Sequence, residues 1–127
     1  MTIKKQQDGN VLTWTNGTGS AVTAGQLIKM SHMLGVALVD IANGSSGAVA
    51  VEGVFSGISK VSGAVFAVGE KLIWDISANT NAGAFDDSAA SPATGDVTGG
   101  AIAWVAGTDG QTTCTIKLTP GNATLTA

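Results

Sequence analysis

Two side chains in this sequence have the chemistry of a nucleophile and its base: Cys114, the single cysteine, and His32, the single histidine. A thiol and an imidazole need proximity in space and not in sequence, so their separation along the chain does not exclude a pair. Cys114, however, falls on the apolar side of the alternating run Thr113-Cys114-Thr115-Ile116-Lys117-Leu118, where a thiol packs as a small hydrophobe. Burial without reactivity is the expectation. The carboxylates of Asp86, Asp87 and Asp96 could attract calcium, but the alternating D-x-[DN]-x-[DN]-G arrangement of a calcium loop is missing, and solvated loop acids are the simpler reading.

Nucleotide and ester chemistry fare no better. A P-loop requires Gly-Lys-Ser/Thr, because backbone amides cradle the phosphates while the lysine reaches them; here Lys60 follows Ser59 and Lys71 follows Glu70. In Gly53-Val54-Phe55-Ser56-Gly57 the serine stands one place late for a hydrolase elbow. No catalytic residue, metal or cofactor is therefore expected. Trp14, Trp74 and Trp104 remain as candidates for sugar stacking or interface anchoring, yet each is in phase with an inward-facing set, which favours packing in the core or between subunits. Asn16-Gly17-Thr18, Asn43-Gly44-Ser45 and Asn122-Ala123-Thr124 match the glycosylation sequon, but with no secretory signal ahead of them they read as turns.

The elements that must position these residues are strands. A chain of 127 residues fits one domain, here taken as residues 1–127, and its apolar content of 44% with 12% charged residues is that of a packed globular protein. No run approaches the roughly 20 apolar residues of a membrane helix. Met1 to Asp8 lacks the apolar stretch of an export signal, so the protein is expected to remain in the cytoplasm where it is made. Six lysines, no arginine and a net charge of -3 argue against nucleic acid as a ligand.

Period-two alternation bounded by glycine turns runs through the sequence, and helical periodicity is nearly absent. Strands are expected at Val11–Thr15, at Val36–Ile41 paired with Ala48–Val54, at Leu72–Ile76, and in a last hairpin from Ala101–Ala106 to Thr113–Leu118. Thr23 to Lys29 leading to Gly35-Val36-Ala37-Leu38-Val39 resembles Ala67 to Trp74 leading to Gly100 to Val105. The two halves would close one all-β barrel or sandwich with little or no helix and long Gly/Ser/Ala-rich loops. Residues 77–99, rich in small and polar types, read as a long loop and a candidate contact arm, and residues 1–10 as an extended N-terminal arm. Ser62 to Val68 fits either a short helical turn or a loop with Phe66 tucked in.

In this order of segments the chain resembles the phage capsid cement (head decoration) proteins. The resemblance is carried by Val11-Leu12-Thr13-Trp14 with Val22-Thr23-Ala24-Gly25; by Gly35-Val36-Ala37 leading to Val49-Ala50-Val51-Glu52-Gly53-Val54-Phe55; and by Val68-Gly69-Glu70-Lys71-Leu72-Ile73-Trp74-Asp75 with the late hairpin ending in Ile116-Lys117-Leu118. The recombinase label that such proteins often bear conflicts with the missing P-loop. The resemblance implies a β-barrel-like protomer that forms a homotrimer on the outer surface of an icosahedral virion, binding the major capsid protein across capsomer junctions. By the same analogy Thr2, Ile3, Lys4 and Lys5 are candidate capsid contacts with Ile3 as the apolar anchor; a frayed terminus is the plain alternative. A module binding carbohydrate or a host surface from the virion is the second functional reading, and an enzyme relying on His32 and Cys114 the third.

Overall fold

In a computed structural model of the protein, which describes residues 9–127, nearly all regular structure is β, as expected for an all-β fold. β1 (Val11–Thr15), β2 (Leu27–Met30), β3 (Met33–Ala37) and β4 (Ser46–Ala50) form an antiparallel sheet in the order β1-β4-β3-β2. β5 (Gly53–Ser59), β6 (Lys71–Asp75), β7 (Ala84–Asp86), β8 (Val97–Ala103) and β9 (Thr113–Leu118) form a second sheet, β5-β9-β8-β6-β7, and β10 (Thr124–Leu125) pairs with β8. Between β6 and β7 lies one short turn, α1 (Ala78–Asn81), in which Asn79, Thr80 and Asn81 have positive φ.

The first four strands of the second sheet repeat the order of the first, with β5, β9, β8 and β6 standing for β1, β4, β3 and β2. Hydrogen bonds follow the repeat. Ala37 N–H donates to the Gln26 carbonyl and Ala103 N–H to that of Glu70, while Leu38 N–H donates to Ala48 O and Trp104 N–H to Thr115 O. The bridges Val22–Ile41 and Phe66–Gly107 correspond too. One four-stranded unit is thus used twice.

What starts these strands is a single kind of turn. In Thr23–Gln26, Ala42–Ser45, Ala67–Glu70, Ala93–Asp96, Thr108–Gln111 and Thr119–Asn122 the fourth residue's N–H donates to the first residue's carbonyl, and the third residue is a glycine with φ between +83° and +93°. Positive φ at the third position alone is the type II turn, which glycine adopts without steric cost. In four of them the fourth side chain closes the turn a second time. Gln26 Oε1, Glu70 Oε1, Asp96 Oδ2 and Gln111 Oε1 accept from the N–H of the first residue at 3.2, 3.0, 2.9 and 2.9 Å respectively.

The first sheet is apolar on both faces. Val22, Ile28, Ala37, Ile41 and Val49 make a small core on one face, with Leu12, Trp14 and Met30 packed at its rim. Leu27, Leu34 and Val36, on the opposite face, join the large core built by Phe66, Leu72, Trp74, Phe85, Ala103 and Ile116 of the second sheet. The back of one unit therefore lids the hollow of the next.

Three expectations need correction. Residues 77–99 are not one long loop: Ala84-Phe85-Asp86 pairs with the edge of β6, and Phe85, completely buried, supplies the apolar anchor that the small residues around it lack. The strand expected at Val36–Ile41 ends at Ala37, because the chain bends and turns Leu38 and Val39 outward. The strand expected at Ala48–Val54 is two strands, β4 and β5, since the chain passes from the first sheet to the second at Val51-Glu52. Ser62 to Val68 resolves as a loop with Phe66 buried and bridged to Gly107.

Candidate functional site

The residues with catalytic chemistry are kept apart. His32 is exposed on the β2–β3 turn, where its Nδ1 lies 3.2 Å from Ser31 Oγ. Cys114 is buried in the large core, and its Sγ donates to the Ile58 carbonyl at 3.4 Å. Burial pushes the thiol up to about 11, against a smaller opposing pull from the Lys60 ammonium. At pH 8 the thiolate that alkylating agents require is scarce. Native protein treated with iodoacetamide at that pH is expected to stay unmodified by intact-mass spectrometry, with one adduct forming only after denaturation; rapid labelling of the native chain would contradict the burial.

The acids serve the backbone. Asp96 is buried and accepts from Ile76 N–H and Ala93 N–H, so it stands away from any calcium role with Asp86 and Asp87. Glu70 accepts from Ala67 N–H and from the N–H and hydroxyl of Ser88; these bonds hold its carboxyl below the ordinary range even against partial desolvation. Among the described residues, no three His, Cys, Asp or Glu side chains gather as a metal site. The same residues contain no helix long and apolar enough to cross a membrane.

A groove of about 670 Å³ is lined by Lys60, Asp75, Asn79, Asp86 and Thr112 among others, but its charged groups are already engaged. Lys60 Nζ donates to the carbonyls of Val61, Ser62 and Gln111, and Asp75 Oδ1 accepts from Ser77. Asn16 stands at the equivalent point of the first half, fully buried, donating from Nδ2 to Ser20 O and Ile41 O. Sequence reasoning missed this pair of buried polar residues at the ends of β1 and β5; no pattern in the residue types marks them.

What the surface offers instead is apolar. Leu38, Val39, Val54, Val65, Val68, Trp104 and Val105 are all exposed. Of the tryptophans, Trp74 is buried and Trp14 half-buried, but Trp104 is 47% exposed, so its expected inward phase is corrected: the bend after Ala103 rotates it outward. Lys117 Nζ sits 5.4 Å from its ring centroid. Thr2, Ile3, Lys4 and Lys5 lie outside the described residues.

A duplicated β scaffold whose acids and amides tie its turns, with apolar side chains left on its bends, defines the class as a small all-β protein. Within that class the assignment is specific. The chain belongs to the phage cement protein family, whose model matches residues 6–118. It is accordingly a structural protein of the phage capsid. No curated protein and no solved structure matches the chain.

Proposed function

We propose that the protein decorates the outer surface of an icosahedral phage head, binds the major capsid protein across neighbouring capsomers, and thereby stabilises the shell. The observation that carries this reading is the set of exposed apolar side chains headed by Trp104 and Val105 on a chain of the cement family. Aromatic and aliphatic groups that the fold leaves in water are favourable to bury against another protein. A homotrimer would multiply such contacts, and weak individual contacts then combine into strong adhesion. In this reading Thr2, Ile3, Lys4 and Lys5 contact the coat through Ile3. The carbohydrate reading draws little support, since Trp104 alone of the three tryptophans is largely exposed and Lys117 already lies against its ring.

The test uses heads from a phage lacking this protein. Such heads are expected to break at a lower temperature than wild-type heads, and added protein is expected to bind at a copy number comparable to that of the coat and restore resistance. Heads that neither contain nor bind the protein would overturn the reading.

A further inference from the structure

The duplication reaches the surface. In the first half the pairing of Val22 with Ile41 and of Gln26 with Ala37 sets Ala24 across from Val39. In the second half the pairing of Phe66 with Gly107 and of Glu70 with Ala103 sets Val68 across from Val105. Leu38 precedes Val39 on the first bend as Trp104 precedes Val105 on the second. Ala24, Leu38 and Val39 are exposed, and so are Val68, Trp104 and Val105.

The inner residues of the two units have diverged: Val22 with Ile41 corresponds to the large-and-small pair Phe66 with Gly107, and Asn16 to Lys60. Exposed apolar character nevertheless persists at all three outer positions of both corners. Water favours polar residues at such places, yet among the described residues the fold buries none of the six, Trp104 staying exposed even with Lys117 Nζ 5.4 Å from its ring centroid.

We propose that the two bends are two copies of one docking corner, and that each chain grips the shell bivalently, each corner seated on an apolar depression of a separate coat subunit. This rests on the capsid-binding reading and adds its geometry. A shell is a lattice of repeated subunits, so a chain that repeats its own contact meets a surface that repeats the matching one. The occupant is coat protein, not a sister protomer. The net charge of -3 contributes little to adhesion of this kind, which is therefore expected to persist at high salt.

The experiment titrates full-length protein onto heads lacking it, at low and high salt, and measures bound protein after sedimentation. Three variants are compared with wild type: L38S/V39S, W104S/V105S, and the four changes together. Melting temperature and light scattering on each variant monitor folding and oligomeric state. Linking two sites strengthens binding by roughly 10²–10⁴-fold over one. Each two-residue variant is thus expected to lose on the order of 100-fold or more in apparent affinity, with folding and oligomeric state unchanged, and the fourfold variant to lose measurable binding. Wild-type binding by either two-residue variant would overturn bivalency, and dissociation of the oligomer in either would assign that corner to a sister protomer. Failure of the wild-type protein itself to bind heads would instead overturn the capsid-surface reading.

Discussion

Phe85→Ala is expected to remove about 3–5 kcal/mol of stability, the usual cost of deleting a fully buried phenylalanine side chain. Phe85 packs edge-on against Trp74, with ring centroids 4.9 Å apart at 70°, and its carbonyl accepts from Val61 N–H. The ring therefore fastens β7 to β6, while the backbone carbonyl ties the segment after β5 to β7. Because domains of this size are stable by about 5–15 kcal/mol, the loss is a large share of the total. In urea unfolding the midpoint should fall steeply while the slope holds, since the surface exposed on unfolding barely changes. A loss below about 1 kcal/mol, within the range of ordinary surface substitutions, would mean that residues 77–99 are a peripheral loop.

That residue also shows where the sequence was legible and where it was not. The alternation Cys114, Ile116, Leu118 against Thr113, Thr115, Lys117 reports a strand with one buried face, and the structure buries the first three. Ala84-Phe85-Asp86 is too short for a period to show, and its burial comes from pairing with β6 and from the packing of Phe85 on Trp74, which no local pattern reports. The outward turn of Leu38 and Trp104 is likewise invisible to a period-two reading, because a bend resets which face the next residue takes. The recurring x-x-Gly-[Gln/Glu/Asp] at Thr23–Gln26, Ala67–Glu70, Ala93–Asp96 and Thr108–Gln111 was in plain view and would have located the starts of β2, β6, β8 and β9. The candidate surface was less legible than the fold: a single sequence does not distinguish an apolar residue that packs inward from one left outside.

The seam between the two halves gives the second large effect. Leu34 is buried on the face of the first sheet that lids the second, and its side chain lies directly over Gly100 of β8. A Cβ built on Gly100 would stand 2.9 Å from both Cγ and Cδ1 of Leu34, too close for carbon atoms in contact. The two positions thus divide one volume, all of it taken by Leu34. Leu34→Ala is expected to cost about 2–5 kcal/mol, towards the upper end because glycine offers no side chain to collapse into the space. Gly100→Ala alone should cost about 1–3 kcal/mol by overpacking. In the Leu34→Ala background the same added methyl enters a vacancy, so its effect should shrink or reverse sign. The double-mutant cycle is expected to show a favourable coupling of about 0.5–3 kcal/mol. Strict additivity in chemical denaturation would mean that Leu34 and Gly100 do not share that space, and that the halves are not joined through this contact.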